Sequence, residues 1–255
     1  MAFVVLCSGY WRCIILHDRS LLQVMTPAEI QALLEVPSHQ SSTPIKVEEA
    51  EFLYQFIKEK SCKRTLETGF GFARSASHIM AASEAPHIVI DPYQSNYNYG
   101  GLKNIEKIGL REQITLIEKS SHIALPELVN ENKSFDFIFI DGDHRFDGCF
   151  VDYFYADLLL AEKGYLLFHD TWMQPIQLVI NFIRQNRKDY IEVPTPLPNF
   201  SLWQKVAKDG RGSMDHRGFY TSKSWLKHHL IYWLHNGKNQ GLKDGLKSLK
   251  KLFSK

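Results

Sequence analysis

The sequence predicts a single α/β domain in which helices cover both faces of a doubly wound, mostly parallel seven-stranded sheet. Short apolar segments alternate with helical segments of roughly 8 to 16 residues, the pattern of strands joined by crossover helices. Strands such as residues 135–140 are almost continuously apolar, as burial on both faces requires. Two further segments flank a turn containing Pro194, Pro196 and Pro198, which is typical of an antiparallel edge strand and its partner.

The predicted elements follow one another with turn residues between them. The strands lie at residues 64–67, 87–90, 113–118, 135–140, 165–168, 190–193 and 201–206. The helices lie at residues 75–83, 99–108, 121–129, 146–161 and 175–185. One more helix begins after Thr26, because Thr at the N-cap, Pro27 at the first helical position and Glu29 at the third form a helix-start pattern.

Charge is distributed unevenly along the 255 residues, although the whole chain carries only +2. Residues 201–255 contain 12 Lys and Arg against 3 Asp and Glu, whereas residues 1–200 carry a net −7. Leu242, Leu246 and Leu249 recur at helical spacing among lysines, so the end of the chain is predicted to be a basic, helical tail. This tail either packs on its own domain or contacts a membrane surface or an acidic partner.

Composition excludes several classes of protein. The hydrophobic and charged fractions, 44% and 23%, are those of a globular chain, which argues against disorder, collagen and coiled coil. The four cysteines are scattered without a Cys-x-x-Cys pair, so we expect reduced thiols and a cytoplasmic location. No apolar run reaches the roughly 18–20 residues of a membrane span.

The chain is predicted to have three parts. Residues 1–44 comprise an N-terminal leader and a helix, residues 45–206 the α/β domain, and residues 207–255 the basic tail. The first 24 residues lack the basic start and the small-residue cleavage site of a secretory signal. They are expected to be either a dispensable leader or the product of a misassigned start, and whether they belong to the mature protein stays open.

The densest functional signal is the turn Glu67-Thr68-Gly69-Phe70-Gly71 after the first strand. Glycines there let the backbone turn sharply and approach a ligand closely. The sixth place of a dinucleotide-binding Gly-x-Gly-x-x-Gly pattern is Arg74, so a pyrophosphate ligand is not favoured, and the sequence has no P-loop. Glu67 instead suits the cationic end of a nucleoside ligand, and Asp91, which ends the next strand, suits a ribose diol.

Acids and histidines follow two later strands. Asp141, Asp143 and His144 come directly after the fourth strand, and His169 and Asp170 follow the fifth. Because the carboxyl ends of neighbouring parallel strands meet at one edge of a sheet, these groups are expected to converge. Either a divalent cation lies among them or their pKa values are strongly shifted.

Together these segments resemble the class I S-adenosylmethionine-dependent methyltransferases, in particular the small-molecule O-methyltransferase branch with macrocin-type and catechol-type members. The resemblance covers about two-thirds of the chain, in family order, at residues 67–71, 90–94, 117–121, 139–144 and 168–170. It implies a Rossmann-like fold and S-adenosylmethionine as cofactor. The implied cofactor contacts are Glu67 with the methionine amino group, Asp91 with the ribose, Ser120 and Ser121 with the adenine, and Gly69 and Gly71 along the ligand.

The same resemblance implies how the acceptor would be activated. Asp141 and Asp170 would bind a divalent cation, Mg²⁺ or Mn²⁺, and His144 would be the general base beside Asp141. His169 is a departure from the family pattern. Catechol-type relatives have Asp-Asn as this second pair of ligands, and macrocin-type relatives have two acids. His169 is either a third metal ligand, which favours a softer cation such as Mn²⁺, Fe²⁺ or Zn²⁺, or a group that contacts only the substrate.

These features predict a methyltransferase that acts on a hydroxyl of a small molecule, a sugar or a polyketide-like metabolite, with metal assistance. One alternative is an Fe(II)-dependent hydroxylase-like enzyme with Asp141, His144 and His169 as ligands. Another is a non-catalytic binding module with the same fold. Nucleic-acid binding is not favoured, because no nucleic-acid motif accompanies the basic tail. A homo-oligomer is compatible with the sequence.

Overall fold

A computed structural model describes residues 25–219 and Leu230. Its strands are β1 (Thr65–Thr68), β2 (His87–Ile90), β3 (Ile114–Ile117), β4 (Phe135–Ile140), β5 (Leu160–Phe168), β6 (Tyr190–Val193) and β7 (Ser201–Lys205). They form one sheet in the order β3-β2-β1-β4-β5-β7-β6. Strand β7 runs antiparallel to β5 and to β6, while the remaining pairs are parallel. The predicted fold class, with its antiparallel pairing at one edge, is therefore confirmed.

Helices cover both faces of the sheet. They are α1 (Pro27–Leu33), α2 (Val47–Lys60), α3 (Arg74–Ser83), α4 (Gly100–Ile108), α5 (Ser121–Asn130), α6 (Phe146–Leu159) and α7 (Gln174–Asn186). Strand β4 shows why its sequence is apolar throughout. Phe137 and Phe139 pack into the core beneath α1 and α2, whereas Ile138 and Ile140 pack beneath α5, α6 and α7. Burial on both faces is what the near-continuous apolar run predicts.

The register of the parallel strands places their carboxyl ends side by side. Thr68 lies beside Ile90 and Ile140, and Ile140 lies beside Phe168. The residues that follow these four positions therefore emerge at one edge of the sheet. Gly69, Asp91, Asp141 and His169 are those residues, so the fold itself assembles the site.

Helix α2 is absent from the elements that the sequence predicts. Its first turn is closed by Glu49, whose side chain accepts a hydrogen bond from the backbone N–H of Lys46 at 2.7 Å. Its C-cap is Ser61, which has a left-handed backbone with φ of 54°. Leu53 and Ile57 are fully buried against the sheet, so packing stabilises this helix.

Strand β5 begins earlier than the sequence predicts. Helix α6 ends at Leu159, and Leu160 pairs with Phe135. The register then shifts, so that Tyr165 pairs with Phe137 across an irregular segment that contains Lys163 with φ of 68°. The remaining predicted helices and strands lie within a few residues of their predicted positions.

Helix α1 belongs to the same core as the sheet, because Ile30 is fully buried there. The expected leader at residues 1–24 and the expected tail helix around Leu242 lie outside the described residues, so these expectations and the proposed domain boundaries remain predictions. Within residues 25–219 no helix is long and apolar enough to cross a membrane.

Candidate active site

A cavity of about 880 Å³ opens at the carboxyl ends of the parallel strands. Its wall is formed by the turn after β1, the ends of β2 and β4, the first turn of α5, the turn after β5 and the segment before α2. Most of the predicted site residues line it, namely Gly69, Gly71, Asp91, Ser120, Ser121, Asp141, His144, His169 and Asp170.

The glycine turn fits tightly between the ends of β1 and β4. Gly69 has φ of 88°, and a Cβ at this position would collide with the carbonyl oxygen of Asp141. Its N–H donates to the carbonyl oxygen of Ile90 at 2.9 Å. Gly71 has φ of 50°, and a Cβ there would lie 3.4 Å from the side chain of Thr43. Glycine is thus required at Gly69 both by the left-handed conformation and by the close approach of the backbone.

Asp91 is bound to the glycine turn. Its Oδ2 accepts hydrogen bonds from the backbone N–H groups of Phe70 at 3.1 Å and Gly71 at 3.2 Å, and from Nε2 of Gln94 at 3.0 Å. Its Oδ1 accepts one hydrogen bond, from the N–H of Tyr93 at 2.7 Å. The carboxylate therefore holds the turn in place and retains acceptor capacity on Oδ1 for a ligand.

Glu67 lies behind the turn, not in the cavity wall. It is fully buried, and within the described part of the chain neither of its carboxylate oxygens has a hydrogen-bond partner. Nε2 of His87 lies 3.7 Å from its Oε2. Burial raises the pKa of Glu67 above its ordinary value. An unpartnered buried carboxylate is costly for folding, which is typical of a functional site.

Three groups form a cluster with the spacing of metal ligands. One ligand atom each from Asp141, His144 and Asp170 lies within 4.8 Å of the others. Nε2 of His144 lies 3.2 Å from Oδ2 of Asp170 and 3.9 Å from Oδ1 of Asp141. The carboxylates of Asp141 and Asp170 raise the pKa of His144. Its side chain is 44% exposed, so a substrate can reach it.

Asp170 is held in an unusual backbone conformation. It has a left-handed φ of 50°, which costs free energy for a residue with a side chain. Its Oδ1 accepts a hydrogen bond from the indole Nε1 of Trp172 at 3.0 Å. The indole thus leaves Oδ2 of Asp170 directed toward His144.

His169 is bound between two carboxylates. Its Nδ1 lies 2.8 Å from Oδ1 of Asp141, and its Nε2 lies 3.1 Å from Oε2 of Glu49. Burial disfavours a charge there, but Asp141 and Glu49 nevertheless hold the pKa of His169 well above its ordinary value. Burial would likewise raise the pKa of Asp141, yet the imidazoles of His169 and His144 lower it. Nε2 of His169 also lies 2.8 Å from Nδ2 of Asn199, so both of its nitrogens are engaged and its Nδ1 fixes Asp141.

Glu49 contacts the site through His169, and the sequence does not indicate this role. Its side chain is 3% exposed, it closes the first turn of α2, and its Oε1 accepts from Nδ2 of Asn199 at 3.1 Å. Its partner His169 lies 120 positions away in the sequence. A helix-start pattern could have indicated Glu49 as a capping residue, but nothing local indicates its second partner.

Asp143 is separate from the cluster. Its carboxylate receives the guanidinium of Arg145, with Nη2 at 2.5 Å and Nε at 3.0 Å. Arg145 is 78% exposed at the rim. This pair closes the turn before α6, so Asp143 is neutralised locally.

Asp152, on α6, is a second site residue that the sequence does not indicate. It is 1% exposed, lines the cavity wall, and has no hydrogen bond of ordinary geometry to any described residue. Burial raises the pKa of Asp152 to about 6, although the hydroxyls of Ser121 and Thr68 oppose the shift. An ionised Asp152 therefore destabilises the folded state at neutral pH.

We expect Asp152→Asn to stabilise the protein at pH 7.5. The pKa of Asp152 in the folded protein, about 6, exceeds the ordinary value of 3.8. The folding stability linked to Asp152 is therefore fully present below pH 3.8 and is lost as the pH rises through 6. The variant lacks this loss and should gain about 1–3 kcal/mol in unfolding free energy at pH 7.5. Urea denaturation at pH 4.5 and 7.5 measures it, with the exposed Glu112→Gln as control. An equal difference between wild type and Asp152→Asn at both pH values would contradict the assignment.

Comparison with known proteins decides the family. The model of the O-methyltransferase family matches residues 24–211. The chain belongs to this family. A caffeoyl-CoA O-methyltransferase of Populus kitakamiensis is 27% identical over 213 residues, covering 77% of this chain and 84% of that protein. Caffeoyl-CoA O-methyltransferase 1 of Zea mays is 30% identical over 129 residues, covering 49% of this chain and only 48%, about half, of the maize protein.

A solved O-methyltransferase structure shares the fold. The O-methyltransferase from Bacillus cereus, in complex with SAH, superposes with a TM-score of 0.60 at 15% identity. The superposition covers 76% of this chain and 94% of that one. At this level of identity the likeness supports the sheet and helix arrangement of the family and nothing finer.

Proposed function

We propose that the chain is an S-adenosylmethionine-dependent methyltransferase that methylates a hydroxyl of a small molecule. The main support is one observation: the cluster of Asp141, His144 and Asp170 lies in the same cavity as the glycine turn and Asp91. A methyl donor along the turn and a hydroxyl at the cluster would meet where β1 and β4 end. Membership of the O-methyltransferase family supports the same reaction.

The cofactor would lie along the glycine turn. Asp91 would bind the ribose, because its Oδ1 retains acceptor capacity beside Gly69 and Gly71. Ser120 and Ser121, which line the cavity at the start of α5, would contact the adenine.

Glu67 would attract the methionine ammonium from behind the turn. Its carboxylate is buried without a hydrogen-bond donor among the described residues, and burial disfavours its ionised form. A nearby ammonium would favour that ionised form. A cofactor with a cationic end would thus add to the partial stabilisation that His87 and Ser75 give this buried carboxylate.

The cluster fits a divalent cation. Two carboxylates and one imidazole within 4.8 Å suit Mg²⁺ or Mn²⁺, the imidazole favouring the softer ion. Asp141 and Asp170 would hold it, with His144 beside them. Bound there, a divalent cation lowers the pKa of a coordinated hydroxyl. His169 suits the role of orienting Asp141 better than that of a ligand, because its nitrogens already contact carboxylates.

His144 would accept the proton of the acceptor hydroxyl at Nε2. Asp170 and Asp141 lie 3.2 and 3.9 Å from that nitrogen and would stabilise the resulting imidazolium. The acceptor oxygen would then attack the methyl carbon in line with the departing sulfur. Fixing the two reactants in this geometry supplies much of the rate enhancement.

The acceptor is proposed to be a small hydroxylated metabolite. Sugars and polyketide-like molecules follow from the sequence resemblance, and phenolic acyl thioesters are suggested by the names of the plant relatives. The hydroxylase alternative is disfavoured, because His169 is bound to Asp141 and Glu49 and leaves one imidazole in the cluster. A cytoplasmic location, a homo-oligomer and a tail that contacts membranes or acidic partners remain proposals from the sequence.

The test is methyl transfer from labelled S-adenosylmethionine to a panel of catechols, flavonoids, phenolic acyl thioesters and sugars. We expect a methylated product by mass spectrometry, loss of activity with a chelator, and recovery on adding Mg²⁺ or Mn²⁺. Calorimetry with S-adenosylhomocysteine tests the cofactor independently of the acceptor. If the protein does not bind this product and instead binds iron, the methyltransferase proposal fails.

A further inference from the structure

Glu49 is a buried carboxylate that joins three elements of the fold behind the acidic cluster. Its Oε2 accepts from the backbone N–H of Lys46 at 2.7 Å and lies 3.1 Å from Nε2 of His169. Its Oε1 accepts from Nδ2 of Asn199 at 3.1 Å. The first turn of α2, the residue after β5 and the loop before β7 therefore meet at one side chain, which is 3% exposed.

The imidazole of His169 is fixed at both of its nitrogens. A carboxylate only accepts hydrogen bonds, so Nδ1 donates to Oδ1 of Asp141 at 2.8 Å. On the opposite edge of the ring, Nε2 lies 3.1 Å from Oε2 of Glu49 and 2.8 Å from Nδ2 of Asn199. The ring of Phe200 packs against the imidazole with its centroid at 5.6 Å. The direction of Nδ1 is therefore set by the groups that contact the rest of the ring.

The orientation of Asp141 matters for a divalent cation. His169 occupies Oδ1 of Asp141, and a carboxylate that is held on one oxygen presents the other in a fixed direction. Groups that orient the ligands of a metal in this way typically change its affinity by about 10- to 100-fold. The contacts behind His169 are thus placed to affect the cluster without belonging to it.

We propose that Glu49 is a positioning residue of the cation site, which fixes His169 so that His169 holds Asp141 in the direction a divalent cation needs. The inference rests on the proposed cation and adds a residue from outside the cluster. A helix cap alone does not require a carboxylate, because Gln also serves at the third helical position. The contact with Nε2 of His169 is the second role of this side chain.

Glu49→Gln separates the two roles. The amide oxygen can still accept from the N–H of Lys46, but the charge beside His169 is lost. We expect Mn²⁺ to bind about 10-fold more weakly by calorimetry, while the affinity for S-adenosylhomocysteine stays unchanged. The exposed neighbour gives a matched control, Glu48→Gln, which should change the Mn²⁺ affinity by less than about 2-fold.

A double-mutant cycle with His169→Gln shows whether Glu49 acts through the imidazole. In the His169→Gln background, Glu49→Gln should weaken Mn²⁺ binding by less than about 2-fold, because the contact that it would remove is already absent. An undiminished loss in that background would assign Glu49 a long-range charge effect and overturn the positioning role.

Asn199→Ala is a second variant, which removes the other partner of Nε2 of His169 and spares the cap of α2. It should weaken Mn²⁺ binding in the same direction as Glu49→Gln, and thermal melts show that each variant folds. Joint loss of Mn²⁺ and S-adenosylhomocysteine affinity in both variants would indicate a structural role and overturn the proposal. Mn²⁺ affinities equal to that of Glu48→Gln would overturn it as well. Failure of wild type to bind Mn²⁺ would instead reject the cation itself, and this proposal with it.

Discussion

Asp141→Asn should lower the rate of methyl transfer by about 10²- to 10³-fold, a loss comparable to removing a key electrostatic group from an active site. Asp141 is central to the acidic cluster, because its Oδ1 lies 2.8 Å from Nδ1 of His169 and 3.9 Å from Nε2 of His144. The amide keeps the size of the side chain but removes the charge that would hold a divalent cation. Steady-state kinetics over a range of Mg²⁺ and Mn²⁺ concentrations measures the change.

Asp143→Asn is the matched control for this experiment. Asp143 lies two positions further along the same turn, but its carboxylate is bound to Arg145 at 2.5 Å and is separate from the cluster. We expect less than about a 5-fold change in rate, since Asp143 pairs with an Arg145 side chain that is 78% exposed. Calorimetric titration with Mn²⁺ should show weaker binding by Asp141→Asn than by Asp143→Asn. Equal losses of activity in the two variants would contradict the proposed role of Asp141.

The sequence predicts the sheet and one half of the site for the same physical reason. Parallel strands buried on both faces must be almost wholly apolar, so a polar residue directly after such a strand marks the point where the chain leaves the core. Asp91 and Asp141 are such residues, and the register of β1, β2 and β4 brings them to one edge. Strand position and polarity are local signals, and they are sufficient here.

The remaining site residues depend on helix packing, which the sequence does not encode locally. Glu49 meets His169 only because α2 packs on the sheet beside β5, although 120 positions separate the two residues. Asp152 faces the cavity because of the way α6 packs on the sheet, whereas the sequence around it predicts only an ordinary helix. Arg74 is visible in the sequence only as a departure from a dinucleotide pattern, and its position in the cavity wall is visible only in three dimensions.

His144→Ala should slow turnover by about 10²- to 10⁴-fold while the affinity for S-adenosylhomocysteine stays unchanged. The side chain is 44% exposed, so its removal should cost little folding stability. Its Nε2 lies 3.2 Å from Oδ2 of Asp170, within the cluster where the acceptor hydroxyl is proposed to bind. Single-turnover kinetics with saturating cofactor isolates the methyl-transfer step, and the exposed His39→Ala is the control.

The same variant distinguishes a general base from a metal ligand. If His144 is the base, saturating Mn²⁺ should not restore activity, whereas added imidazole should restore part of it by supplying the missing proton acceptor. If His144 is mainly a ligand, its removal weakens Mn²⁺ binding, and excess metal recovers the rate. A loss of less than about 5-fold, with unchanged Mn²⁺ affinity, would remove both roles from His144. Deprotonation of the acceptor hydroxyl would then depend only on a cation held by Asp141 and Asp170. His169 could not replace His144 as the base, because it is engaged by two carboxylates.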